Sequence, residues 1–296
     1  MLERMPVFKR VAVAAHPKLP DAAAETARVN SFVEAHGIRV VSGLIFDEDL
    51  QARIEAGEFD ILVALGGDGT MLRAGRMCAP WRIPVLGINL GRFGFLTELQ
   101  KNQWREYLPR LFSGDYWLER RMMLQAEHCN SGGSLGTWSV LNEVVVGRGI
   151  SMRPVHLTTY VDGRYLTTYV ADALIAATPT GSTAYALAAG GPILPPELRN
   201  ILLLPVAPHL SLERAIVLAE GSSVSITVES THDIILSIDG QASIDLQSGD
   251  QVNVRAGDHT ALFVRFQDPG YFYRNLTPHM SQNPSTGNNR THDRQS

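Results

Sequence analysis

The chain has 296 residues, 45% of them hydrophobic and 19% charged, which is enough to bury a large core as one big domain or two ordinary ones and excludes a small stapled peptide. A formal net charge of -4 supplies no polybasic surface for nucleic acid, and the two cysteines, Cys78 and Cys129, are too few for a disulfide framework. No apolar run reaches the roughly 20 residues of a membrane helix, so the expectation is a soluble, cytoplasmic protein with neither a nucleic-acid nor a membrane partner.

Arg10 to Ala15 read as a short buried strand, and Asp21 to His36 as a helix that Asp21 caps and Gly37 ends. Ile38 to Val41 give a second strand. Asp60 to Leu65 give a third, which runs directly into Gly66-Gly67-Asp68-Gly69-Thr70 and then a helix over Met71 to Cys78. Pro84 to Ile88 read as a strand and Trp104 to Phe112 as an amphipathic helix. This alternation predicts an α/β domain with a doubly wound parallel sheet over residues 1–115.

Beyond Tyr116 the texture turns β-rich, in runs over Thr137 to Val146, Val155 to Tyr160, Ala173 to Thr178, Ser223 to Val228, Ile234 to Ile238, Gln251 to Arg255 and Ala261 to Phe266. Asp162-Gly163, Asp239-Gly240 and Ser248-Gly249-Asp250 supply turn residues between them. The expectation is a mainly antiparallel domain over 116–265 with one helix near Ser182 to Ala189. A C-terminal segment follows over 266–280, and residues 281–296 form a polar, disordered tail.

Three lysines, Lys9, Lys18 and Lys101, are followed by Arg10, Leu19 and Asn102, so no Gly-Lys-Ser/Thr phosphate loop exists. The strand–Gly-Gly-Asp-Gly-Thr–helix segment instead sets bare backbone N–H groups and a helix amino terminus beside one carboxylate, a place suited to phosphate. Asp68 there is either a helix cap or a group that holds a divalent cation or takes a proton from an attacking hydroxyl. Asn89 to Leu96 form a second glycine segment after the next strand, and two such loops on one sheet edge make a crevice; Phe95 taken alone reads as a core residue. Asn142-Glu143 interrupts an apolar string, so its polar groups need partners, structural or ligand. Asp172 to Tyr185 run a strand into a hydroxyl-rich turn whose Ser182 and Thr183 are also ordinary caps. The nine histidines show no zinc spacing.

These segments, in this order, resemble the ATP-dependent NAD kinase family of bacterial type over most of residues 10–275. Gly66 to Thr70 are similar to its first motif, Asn89 to Leu96 to the glycine-Phe segment, Asn142-Glu143 to its Asn-Glu pair, Thr178 to Pro192 to its longest signature, and Ser237 to Gln241 to its late Asp-Gly-Gln turn. The resemblance implies transfer of the ATP γ-phosphate to the 2′-hydroxyl of the adenosine ribose of NAD, with Mg²⁺ or another divalent cation carried by ATP rather than held by protein ligands. It implies Asp68 as catalytic base, in a crevice between the domains. Binding roles are carried to Gly67, Gly69, Thr70, Arg73, Phe95, Asn142, Glu143, Asp172, Thr183, Ala184, Tyr185, Asp239 and Gln241. It also implies a homodimer or homotetramer, with Asp172 reaching dinucleotide bound largely to another subunit, and a terminal segment that returns to the first domain. Ala173 departs from a usual Gly, and Ala188 from a Ser whose hydroxyl contact is worth about 0.5–1.5 kcal/mol. A lipid or sugar kinase sharing the glycine loop and a non-catalytic NAD-binding sensor are the competing readings.

Overall fold

Strands buried on both faces favour parallel pairing under covering helices, and the start of the chain has that texture. The computed structural model describes residues 7–19, 21–91, 94–151, 153–209, 212–229 and 233–282. They fall into two compact units, one reaching to Glu119 and resuming at Leu262, the other running from Arg120 to Ala261.

In the first unit β1 (Arg10–Ala15), α1 (Ala22–Ala35), β2 (Arg39–Leu44), α2 (Glu48–Glu55), β3 (Ile61–Gly66), α3 (Asp68–Cys78) and β4 (Val85–Asn89) alternate. The strands pair in parallel in the order β2-β1-β3-β4. The short β5 (Leu99–Gln100) adds to the far end of β4 and leads into α4 (Trp104–Ser113). Every residue of β3 and β4 is buried. Because β1 connects to one side of the sheet and β3 to the other, the loops after these two strands flank the point where the strand order reverses, the ligand crevice of such sheets. The His16 N–H bonds the Leu65 carbonyl across that point at 3.1 Å. Asp21 does not cap α1 as expected: its carboxylate pairs with Lys101 at 2.6 Å, a partner 80 residues away. Glu25, buried on α1, takes the Trp104 indole N–H at 2.6 Å.

The second unit is antiparallel. β6 (Trp117–Asn130), β7 (Gly133–Val140), β8 (Glu143–Arg148), β9 (Val155–Val161), β10 (Arg164–Ala171) and β11 (Ala173–Ala177) precede a single 3₁₀ turn and α5 (Tyr185–Ala188). Then come β12 (Asn200–Val206), β13 (Ile216–Ala219), β14 (Ser223–Val228), β15 (Ile234–Ile238), β16 (Ile244–Leu246) and β17 (Gln251–Arg265). One sheet runs β13-β12-β11-β8-β15-β16. It packs against the sheet of β9, β10 and β14 through Val144, Leu174, Leu203, Leu157 and Ile226, among others. On β12, Ile201 and Leu203 face that core while Leu202 and Leu204 face a second one beside α5, the period-2 alternation of a strand buried on both sides.

Three expectations are corrected here. Thr137 to Val146 is two strands broken at Leu141-Asn142, Gln251 to Arg255 and Ala261 to Phe266 are one continuous strand, and the helix near Ser182 has four residues. The last helix, α6 (Tyr271–Gln282), runs two residues into the stretch expected to be tail; the rest of that tail lies outside the described residues.

The end of β17 carries Arg265, fully buried in the first unit. Its guanidinium contacts Glu119 at 2.8 Å and Glu98 at 3.3 Å and donates to the Leu96 carbonyl at 3.0 Å. The Tyr271 hydroxyl completes the cluster by donating to Glu119 at 2.8 Å. Burial alone lowers the Arg265 pKa, but Glu119, Tyr271 and Glu98 more than offset it and hold the group charged. Arg265→Met leaves two buried carboxylates uncompensated and is expected to cost about 3–5 kcal/mol, read as a lower urea midpoint at unchanged m-value.

Candidate active site

Four backbone N–H groups at a helix start lack intrahelical partners, and at α3 no side chain caps them. Gly67 stands at the cap position in extended backbone, and the Thr70 and Met71 N–H groups already bond its carbonyl at 3.0 and 3.1 Å. A Cβ added at Gly66 would collide with the Thr70 side chain, whereas one at Gly67 or Gly69 meets nothing within 4 Å. The first glycine is therefore closed by packing, and the other two leave the main chain open to an anion.

Asp68 is the first residue of α3, and its carboxylate does not cap the helix. Oδ2 accepts the Phe95 N–H at 2.8 Å and Oδ1 the Leu96 N–H at 3.0 Å. The register pairs Gly66 with Asn89, so the two glycine segments leave adjacent strands at the same level. Gly94 lies against Asp68 so closely that a Cβ there would stand 2.5 Å from Asp68 Cγ. Thr70 is buried. Arg73, expected to contact nucleotide, donates to the Ile45 carbonyl at 2.8 Å and lies over the Phe46 ring at 4.5 Å; burial, then Arg76, lowers its pKa. Phe95 is half-buried, its ring centroid 6.4 Å from that of Phe272. With Gln100, Tyr107, Tyr271, Phe272 and Gly94 it lines a cavity of about 300 Å³ that no sequence signal announced. Arg92 and Phe93 of this segment lie outside the described residues.

In the second unit the break between β7 and β8 falls at Leu141-Asn142. The N–H groups of Leu141, Asn142 and Glu143 all donate to the Asp239 carboxylate, at 2.9, 2.7 and 3.0 Å. Asp239 and Gly240 have φ of 47° and 67°, a type I′ turn. Asp239, expected to touch ligand, thus spends its carboxylate on main chain, and Gln241 beside it is exposed. Thr178, singled out only as part of a motif, donates its hydroxyl to the Leu141 carbonyl at 2.6 Å and its N–H to the Asn142 carbonyl at 2.8 Å. Gly181 is needed because its Cα meets the Asn142 backbone; a Cβ there would lie 2.9 Å from Asn142 Cα.

Glu143 is 6% exposed, with Oε2 buried and without a hydrogen-bond partner. Burial, then the nearby Asp239 charge, pushes its pKa up to about 8. Ser182 is closed off by the Pro179 carbonyl at 2.6 Å and the Leu194 N–H at 2.9 Å. Thr183 donates to the Thr180 carbonyl at 3.1 Å, Ala184 is half-buried, and Tyr185 is exposed. Asp172 pairs with Arg148 at 3.0 Å. Asp68 and the Asn142-Glu143 pair belong to different units.

Residues 11–116 match the family model for the ATP-NAD kinase N-terminal domain and residues 141–266 that for the ATP-NAD kinase C-terminal domain. A curated NAD kinase of Chloroflexus aggregans is 39% identical over 271 residues, covering 91% of this chain and 98% of that protein. One of Paraburkholderia phytofirmans is 38% identical over 265 residues, covering 86% and 87%. Among solved structures, yeast NADH kinase complexed with NADH superposes with a TM-score of 0.80 at 25% identity, covering 98% of this chain and 91% of that one. An NAD kinase from Archaeoglobus fulgidus in complex with ATP gives 0.74 at 26% identity, covering 93% and 99%. With both domains matched in order and relatives this similar along nearly their whole length, the chain belongs to the NAD kinase family.

Proposed function

We infer that the chain is a phosphotransferase acting on an alcohol group of NAD: it moves the ATP γ-phosphoryl group to the 2′-hydroxyl of the adenosine ribose, giving NADP and ADP. Membership of the family supports this reading and leaves the lipid or sugar kinase and the non-catalytic sensor without support. The observation that carries the chemistry is the Asp68 carboxylate, fixed by two peptide N–H groups at the open amino terminus of α3.

Each Asp68 oxygen accepts one N–H and keeps a second lone-pair direction for a hydroxyl. Asp68 is the proposed general base, taking the ribose proton as the O–P bond forms. The Gly67 and Gly69 main chain and the α3 amino terminus receive phosphate, and Asn142 and Glu143 hold the sugar. Phosphoryl transfer gains mostly from positioning and neutralised charge, which this arrangement supplies.

Among the described residues no group of three His, Cys, Asp or Glu side chains is assembled to hold a metal ion. We propose that a divalent cation such as Mg²⁺ is brought by the donor's phosphates, with Asp68 as the carboxylate on that loop; bound there, it would offset triphosphate charge. We further propose a cytoplasmic homodimer or homotetramer. The family resemblance supports the assembly; no described helix is long and apolar enough to cross a membrane.

Incubation of the purified chain with NAD, ATP and Mg²⁺ should yield NADP, detected with an NADP-specific dehydrogenase; tight NAD binding without NADP would instead favour the sensor. Asp68→Asn removes the base and turns an amide N–H₂ toward a peptide donor, so kcat should fall roughly 10²–10⁴-fold; wild-type turnover would refute the assignment. Gly94→Ala pushes on the same carboxylate from the side. It should lower kcat by about 10²-fold with the circular dichroism of the native fold retained.

A further inference from the structure

The peptide at the β7–β8 break has every main-chain group accounted for. The N–H groups of residues 141–143 go to Asp239. The Leu141 and Asn142 carbonyls accept from Thr178, and the Glu143 carbonyl accepts the Asp239 N–H at 3.0 Å. On this fixed peptide the Glu143 carboxyl stands buried with Oε2 lacking a partner. An ionised carboxylate left so would be costly, while a neutral one offers an O–H donor to whatever ligand atom arrives.

We propose that Asp239 is a positioning residue for dinucleotide binding: it fixes the 141–143 peptide and adds its negative charge to the burial that makes the Glu143 carboxyl an O–H donor to an acceptor oxygen or nitrogen of the dinucleotide. This rests on the reading that Asn142 and Glu143 touch that ligand. Within the second unit the strands flanking β8 bring no other charge to this end: β11 is Ala-Leu-Ile-Ala-Ala and β15 is Ile-Ile-Leu-Ser-Ile. Arg121 of β6 reaches the neighbouring turn by a bond to Thr180 Oγ1 at 3.2 Å, and the Tyr185 phenol on α5 is exposed. Burial first, and Asp239 second, hold the Glu143 proton up to about pH 8. The left-handed φ of Asp239 suits Asn as well as Asp, so Asp239→Asn keeps the turn backbone and removes the charge, while its amide N–H₂ replaces one of the two oxygens that accept from residues 141–143.

The test is the pH dependence of KM for NAD at saturating ATP, from pH 6 to 9.5. In the wild type KM should be flat to about pH 8 and then rise, approaching tenfold per unit as Glu143 ionises. In Asp239→Asn the rise should begin at lower pH, because the second of the two causes that raise the Glu143 pKa is removed, and in Glu143→Gln, permanently neutral, it should vanish. If Asp239→Asn raises KM by one factor at every pH with the midpoint unmoved, Asp239 is merely structural and the proposal is overturned. The Glu143 carboxyl carbon, followed by NMR in the wild type without NAD, should titrate near pH 8; a midpoint in the ordinary carboxylate range overturns the proposal without any variant. A midpoint near 8 combined with an unchanged KM profile in Glu143→Gln overturns it differently, because the reading that Glu143 touches NAD is then what fails.

Discussion

A carboxylate that accepts consecutive peptide N–H groups is the interaction that orders the candidate segment within each of the two units. Asp68 does this to Phe95 and Leu96, and Asp239 does it to Leu141, Asn142 and Glu143. Successive N–H groups of an irregular segment have no ladder to join, and an anion satisfies several of them at once with charge-assisted bonds. Each loop is thereby held by a residue remote in sequence. Glu98 repeats the device by accepting the Phe266 and Gln267 N–H groups at 2.8 and 3.2 Å. The Leu96 carbonyl is meanwhile taken by Arg265, so the peptide that orients Asp68 is gripped at both its N–H and C=O sides.

The two departures from the family pattern have different structural standing. Ala173 pairs directly with Gly147 across β11 and β8, and a Cβ on Gly147 would stand 2.6 Å from that of Ala173. The methyl group at 173 is accommodated because the opposite position has none. Ala188 is exposed at the end of α5, so its missing hydroxyl leaves no buried group unsatisfied.

The alternating first unit was legible because hydrophobic runs, Gly37 and the glycine loop punctuate it, although β2 runs three residues past the expected Val41 and α3 begins three before the expected Met71. Helix α2 was not: its buried side is only Leu50 and Ile54 in an otherwise charged stretch, and its cap, Asp47, reads as loop. Strand β12 was hidden by Pro205, and Gly257-Asp258 fall between the two runs expected over Gln251 to Arg255 and Ala261 to Phe266 although β17 runs through them. Within the site, residue types could be named from motifs, but partners could not. That Asp68 faces two N–H groups 27 and 28 residues away, and Asp239 three that are 96 to 98 away, is a property of strand register and turn geometry that no local window contains.

The peptide donors around Asp68 also bear on the energetics of substrate arrival. A solvent-exposed carboxylate sheds ordered water before it can face a sugar oxygen, and that rearrangement adds to the barrier. Here two main-chain dipoles, immobile because they belong to a gripped loop, stand permanently where water molecules otherwise sit. In the role proposed for it, the anion would therefore meet the incoming alcohol with much of its hydration replaced in advance by the polypeptide itself.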